Sequence, residues 1–172
     1  MGTTGISDIH WYAIYVRPRH EFQVFGRLAK TGIEAFLPTV GRLSKWKDRK
    51  RLVEFSLFPI YIFVHINKDS KDRLATLKIK GVIKFLGVSS NKPENIPDEQ
   101  IVSLKRLVEN KGALEPYPYL KEGERVRIKD GPLAGIEGIL VKKIRQHLLI
   151  LSVDVLQQGI SLEIDASEVE KV

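Results

Sequence analysis

The 172 residues are 43% hydrophobic and carry a formal net charge of +7, enough chain for one ordinary domain or two small ones. Cysteine is absent, which excludes disulfides and thiolate metal sites and fits a reducing, cytoplasmic location. The longest apolar run, about a dozen residues, is too short to span a membrane. The N-terminus lacks the basic start and apolar stretch of a signal peptide, so Met1–Asp8 reads as a short flexible leader.

Residues 1–110 hold 19 Lys and Arg against 11 Asp and Glu, a net +8, whereas residues 111–172 hold 9 against 10, a net −1. A basic first part followed by a near-neutral second part suggests two modules, the first suited to a polyanion.

"HWYAIYV", His10 to Val16, is rich in aromatic and β-branched residues and reads as a strand that Pro18 ends. From Arg19 to Thr31, Phe22, Phe25, Leu28 and Ala29 recur at helical spacing as the inward stripe, and Gly32 is a natural stop. "IEAFLPTV" reads as a second strand. The charged stretch Gly41–Arg51 and "LVEFS" then suit a hairpin with a basic tip. In "FSLFPIYIFVHI", Phe55 to Ile66, period two puts Phe58, Ile60, Ile62, Val64 and Ile66 on one face. Leu57, Pro59, Tyr61 and Phe63 take the other. Both faces are apolar, so one meets the domain's own helices and the other needs a further cover.

Ser70–Ile79 reads as a short helix with Leu74 and Leu77 inward, and "GVIKFLGV" as a strand. "IPDEQIVSLKRLVEN" reads as a helix with Ile101, Leu104, Leu107 and Val108 in one stripe and Asp98 and Glu99 at its positive end. These elements predict an α+β layer, a mainly antiparallel sheet flanked by helices, over residues 9–110. Residues 111–118, with Gly112, Pro116 and Pro118, read as a flexible linker. Residues 119–172 hold several short strands and no helical pattern, with Val126 and Ile128 inward, as in a small five-stranded β-barrel.

None of His10, His20, His65 and His147 has metal-ligand spacing with another ligand. No phosphate-cradling loop precedes a helix, and no nucleophile sits in a catalytic setting. The expectation is a protein that is not an enzyme and needs no metal or cofactor. Binding features are present instead. His20, Gln23, Arg27 and Lys30 form a second face of the first predicted helix. Arg17 and Arg19 oppose the helix dipole at its N-terminus, so phosphate neutralisation is one reading and a plain solvated face the other. Arg42, Lys45, Lys47, Arg49, Lys50 and Arg51 surround Trp46, a pattern that can track a nucleic-acid backbone and stack on a base. Alternatively Trp46 pins the hairpin tip to the protein.

Four motifs carry a resemblance: "WYAIYVRPRHE" at 11–21, "LFPIYIFV" at 57–64, "KGVIKFLG" at 80–87 followed by "PENIPDEQI", and "KEGERVRIKDGPLAGIEGIL" at 121–140, a KOW motif. In this order the chain resembles NusG-type transcription elongation and antitermination factors, and among them specialised paralogues of the RfaH kind. The resemblance implies an NGN domain and a C-terminal KOW barrel. It implies docking on the clamp helices of the largest RNA polymerase subunit through Trp11, Tyr15, Phe58, Tyr61 and Phe63. It implies contact with the non-template DNA strand through Arg17, His20, Arg27, Lys30, Thr31 and Lys80. By the same resemblance Leu133, Ile136 and Leu156 fall in KOW loops that in the family meet a ribosomal protein or Rho. Ile60 stands where general family members have glycine, Leu133 where they have phenylalanine, and Leu156–Gln158 where they read an "FGR"-like segment. These departures favour an operon-directed paralogue over a housekeeping factor that couples to ribosome or Rho. A ribosomal RNA-binding KOW protein is a more distant alternative. A monomer is expected.

Overall fold

The computed structural model describes residues 8–89, 91–110 and 112–172. The leader read at Met1–Asp8 lies outside the described residues except for Asp8, and so does the side chain of Trp46. Two compact units are formed, one from residues up to 37 together with 58–101, the other from 38–57 together with 102–172. Among the described residues no helix is long and apolar enough to cross a membrane.

In chain order the elements begin with β1 (Ile9–Val16), α1 (Glu21–Lys30), β2 (Glu34–Phe36), β3 (Thr39–Trp46), β4 (Arg49–Ser56) and β5 (Tyr61–Asn67). Next come α2 (Lys71–Lys78), β6 (Val82–Phe85), β7 (Gly87–Ser89), β8 (Lys92–Pro93) and α3 (Asp98–Glu109). The remainder holds the strands β9 (Leu114–Pro118), β10 (Glu124–Ile128), β11 (Glu137–Lys142), β12 (His147–Val153), β13 (Gln158–Ile164) and β14 (Val169–Lys171), with short 3-10 helices at Asp154–Leu156 and Ala166–Glu168. The α+β reading holds.

The first unit is built on an antiparallel sheet of order β2-β5-β1-β6. Alternation sends Tyr12, Ile14 and Val16 of β1 and Ile62, Val64 and Ile66 of β5 to one face. There they pack with Val24 and Leu28 of α1, with Phe85, and with Ala75 and Ile79 from the α2 region.

The inward stripes of α1 and α2 differ from the sequence expectation. In α1 the buried residues are Glu21, Val24 and Leu28, while Phe22 and Phe25 are 48% and 36% exposed. The two stripes are neighbours on a helix, about 100° apart, and periodicity alone favours the bulkier one. Gly81 decides between them. Its φ is +103°, and a Cβ there would stand 2.7 Å from Val24 Cγ2, so only a glycine backbone lets Val24 face inward at that point. In α2, Leu74 and Leu77 are exposed and Thr76 is buried, its hydroxyl donating to the Asp72 carbonyl at 2.7 Å. Ser70 caps this helix by accepting from the Asp72 amide. In α3, Ile101, Leu104 and Leu107 are buried as the stripe requires.

The apolar run Phe55–Ile66 is not one strand. β4 ends at Ser56 and β5 starts at Tyr61, and between them Ile60 takes φ +70°, a rare conformation for a β-branched residue. Its amide donates to the buried Glu21 carboxylate at 2.9 Å, and its carbonyl accepts from the Val16 amide at 2.8 Å. This turn breaks the period-two count. Phe58 therefore does not join Ile62 and Val64 on the helix-covered face, but meets Phe63 edge to face with ring centroids 5.9 Å apart.

In the second unit β3 and β4 form a two-stranded ribbon closed by Lys47 and Asp48, as the hairpin reading predicts. The C-terminal strands form one antiparallel sheet of order β14-β10-β11-β12-β13-β9, six strands where five were expected. The sixth is β9, taken from the segment read as a linker. It pairs with β13 through Leu114↔Leu162 to Pro118↔Gln158. Pro116 and Pro118 are tolerated because β9 is an edge strand, where a missing donor breaks no interior ladder. Leu148, Leu149, Ile150 and Leu151 of β12 are all buried, so this central strand is covered on both faces.

The Glu21–Ile60 bond yields a prediction. Glu21→Ala leaves the Ile60 amide without its acceptor and should lower stability by about 1–3 kcal/mol. Glu21→Gln keeps an acceptor and should lose less. Urea denaturation of the two variants checks this.

Candidate functional site

β1 and β5 lie side by side in antiparallel register with Trp11↔His65, Ala13↔Phe63 and Tyr15↔Tyr61. Odd-numbered residues of both strands therefore share the sheet face opposite α1. Sequence parity brings Trp11, Tyr15, Tyr61 and Phe63 onto this face, and the turn at Ile60 adds Phe58. Their exposure divides them.

Trp11 is only 6% exposed. Its indole stacks on the His65 ring, centroids 4.6 Å apart, and its carbonyl accepts from the Ile96 amide at 2.7 Å. His65 is held in turn by Glu34, Nδ1 to Oε2 at 2.8 Å. Phe63 is fully buried between Phe36, 6.0 Å away and stacked, and the equally buried Phe58. Trp11, Phe58 and Phe63 are thus buried in this unit, covered by neighbours that include Phe36 and Ile96. Tyr15 and Tyr61 remain half-buried at the open end of the face, rings 5.9 Å apart and tilted by 60°. Burial pushes the Tyr61 phenol above its ordinary pKa, and the neighbouring Tyr15 adds to the shift. Across the next ladder Tyr15 pairs with the exposed Lys84, a residue that sequence reasoning does not single out. A signal for it exists: Lys84 alternates with the inward Phe85.

The second cluster surrounds α1. Arg17 leaves β1 with its amide bonded to the Gly81 carbonyl at 2.8 Å. Arg27 Nη1 donates to the Lys80 carbonyl at 2.7 Å. His20 Nδ1 lies 2.9 Å from the Pro18 carbonyl oxygen. These bonds tie the Lys80–Gly81 loop to α1 and bring Arg17, His20, Arg27 and Lys80 to one edge of the unit. Lys30 is exposed one turn further along. Thr31 sits at the helix C-cap, where its hydroxyl donates to the Arg27 carbonyl at 2.8 Å and lies 3.0 Å from that of Leu28. That hydroxyl caps the helix. Glu21 is the one acid between Arg17 and Ile33, and it is turned inward onto Ile60. Arg17, Arg27, Lys30 and Lys80 have no ion pair among the described residues. Unneutralised cations from α1, from the end of β1 and from the Lys80–Gly81 loop, gathered at one edge, can neutralise phosphates.

The C-terminal loop residues lie elsewhere. Leu133, Ile136 and Leu156 are all buried in the second unit. The loop around Leu133 turns through Gly131 at φ +84° and Gly135 at φ +89°, which points its leucine inward. The Arg106 guanidinium of α3 donates to the carbonyls of Pro132 at 2.6 Å and Ala134 at 2.9 Å, a contact that no sequence pattern announces.

The division between interior and surface aromatics can be measured. Phe63→Ala should cost about 3–5 kcal/mol of stability, as for other buried phenylalanines. Tyr61→Ala should cost about 1 kcal/mol. Chemical denaturation of the two variants distinguishes core from surface.

Residues 9–105 match the family model described as "Transcription termination factor nusG". The transcription termination/antitermination protein NusG of Borreliella burgdorferi is 33% identical over 134 residues, 72% of each chain. That of Campylobacter jejuni is 30% identical over 179 residues, covering 97% of this chain and 99% of the other. Among solved structures, "Domain interaction in Thermotoga maritima NusG" aligns over 98% of this chain and 99% of that one, with a TM-score of 0.56 and 20% identity, a likeness of fold. The matched segment contains the aromatic face and the basic edge, and the chain belongs to the NusG family.

Proposed function

We propose that this protein is a transcription elongation and antitermination factor that binds RNA polymerase and acts without catalysis. The observation that carries the reading is the half-buried Tyr15–Tyr61 pair, backed by Phe63 on a sheet face opposite α1, in a chain of the NusG family. Rigid aromatic side chains with a polar tip and a packed layer behind them are strong interface anchors. The partner surface would be the clamp helices of the largest polymerase subunit. The expected effect is a population shift, in which the factor binds the elongating polymerase better than the paused form and thereby favours it.

The cations Arg17, Arg27, Lys30 and Lys80, with His20 among them, would hold the exposed non-template DNA strand. Thr31 is less suited, since its hydroxyl caps the helix. Ile60 at a left-handed φ supports a specialised paralogue. Glycine meets that φ without strain, and a chain that keeps isoleucine there departs from the general pattern. A ribosomal protein or Rho at the C-terminal sheet would meet exposed groups such as Pro132 and Gln157, because Leu133, Ile136 and Leu156 are inside.

Two outcomes test this. Tyr61→Ala should keep its fold and lose polymerase affinity by roughly thirtyfold, the cost of an interface hot spot. A pull-down with purified polymerase that shows undiminished affinity overturns the docking surface. Lys30→Ala should flatten the salt dependence of single-stranded DNA binding by about 0.7 in log–log slope, and an unchanged slope removes that residue from the strand-binding edge. Elongation on the protein's own operon leader against an unrelated template separates the specialised factor from the housekeeping one, which acts on both.

A further inference from the structure

We propose that Lys84 selects the partner surface that the tyrosine pair accepts, by requiring a carboxylate beside the apolar patch on which the tyrosines dock. This assignment rests on the polymerase-docking reading and adds the charge that the polymerase must present.

The strand register puts Lys84 in place. β6 pairs with β1 through Ile14↔Phe85, Tyr15↔Lys84 and Val16↔Val82, with a shift between Tyr15 and Val16. Ile83 is the extra residue of this bulge. Val82 and Phe85, three residues apart, therefore both pack into the helix-covered core, which plain alternation would forbid. Lys84 is left on the opposite face, across from Tyr15. Directly paired residues have Cβ atoms about 5 Å apart, so the lysine stem starts beside the tyrosine.

Charge on this face is scarce. Of the residues that the ladders place on it, tyrosines aside, Glu34, His65 and Lys84 can carry charge. Glu34 and His65 are bonded to each other at 2.8 Å. They sit on the Trp11 row, four residues or about 13 Å along β1 from Tyr15. Lys84 is exposed and has no ion pair among the described residues. The uncommitted charge of the face thus stands next to its half-open tyrosine pair.

A protein surface that closes over Tyr15 and Tyr61 brings Lys84 into the contact. An ammonium that loses its hydration without gaining an opposite charge is expensive to bury. A wholly apolar partner surface is therefore rejected, and one with a carboxylate at that point is selected. The same charge fixes direction. A helix laid across the tyrosines in the reverse sense carries its carboxylate away from β6 and leaves Lys84 unpaired. A lysine on an edge strand can instead serve only to deter strand pairing. A glutamate would do that equally well, so charge reversal separates the two roles.

The test is binding of the full chain to purified RNA polymerase by biolayer interferometry, with Tyr61→Ala as the docking control. Lys84→Glu should weaken binding about tenfold at low salt. The gap to wild type should narrow as salt is raised, because added ions screen the charge. Lys84→Gln should lose less than Lys84→Glu, and Lys84→Arg, which keeps the charge, should bind close to wild type. Urea midpoints of all three should match wild type, since the residue is exposed. If Tyr61→Ala loses affinity while Lys84→Glu binds as wild type does, the docking face stands and Lys84 has no part in selecting the partner. If both bind as wild type does, the docking reading falls and the role of Lys84 falls with it. Tighter binding by Lys84→Glu also overturns the proposal, because the facing group is then a cation. So does a Lys84→Gln variant that keeps full polymerase affinity but shows a flatter salt dependence on single-stranded DNA, which assigns the lysine to phosphate.

Discussion

The first unit depends on how the Ile60 peptide is held. Its amide is fixed by the buried Glu21 carboxylate and its carbonyl by the Val16 amide. An L-residue in the left-handed region costs about 1–2 kcal/mol. A hydrogen bond to a charged acceptor contributes about 1.5–3 kcal/mol, so the Glu21 bond is large enough to offset the strain. Glu21 also lies in the first turn of α1, where the helix dipole favours a negative charge. One carboxylate therefore anchors a helix start, a turn and the end of a strand.

Two consequences follow from that anchor. The turn at Ile60 ends the alternation that runs through the apolar stretch, so Phe58 comes to rest on Phe63 and Tyr61 is aligned opposite Tyr15. The face then has two depths, a buried layer of Trp11, Phe58 and Phe63 and a half-open layer of Tyr15 and Tyr61. Second, the inward turn of Glu21 withdraws the one acid from a stretch that otherwise presents Arg17, Arg19, Arg27 and Lys30. The positive edge exists partly because its natural counter-charge has been taken into the interior.

The strand parity of β1, the α3 stripe, the basic hairpin and the change of texture after α3 are all readable in the sequence, because each rests on a local period or composition. What escapes it is non-local. Val24 rather than Phe25 faces inward because Gly81, far along the chain, comes close to it. Phe58 changes sides because a turn fixed by Glu21 intervenes. Leu114–Pro118 looks like a linker because its prolines mask a strand whose partner, β13, lies some forty residues away. For the candidate site, parity groups the aromatic positions correctly on one face, but depth within the face is set by Phe36 and Ile96, which no period connects to them. The inward placement of Leu133 escapes for a similar reason. A short apolar residue between glycines can point outward or turn inward, and only the assembled sheet decides.

The end of β1 shows how tightly the two candidate surfaces are joined. Tyr15 points to the aromatic face, Val16 to the core, and Arg17 begins the basic edge. The Val16 amide is bonded to the Ile60 carbonyl and the Arg17 amide to the Gly81 carbonyl. Three successive residues thus serve three environments, and their backbone is pinned at two consecutive peptides by two separate loops. Tyr15 cannot be displaced without dragging Arg17, and the Lys80–Gly81 loop cannot shift without pulling on the strand that carries Tyr15. A partner pressing on the tyrosine pair and a phosphate chain lying along α1 would therefore act on the same short, rigid stretch of backbone. Each would find the other's binding groups already in place, which is the condition under which two modest surfaces reinforce one another by preorganisation.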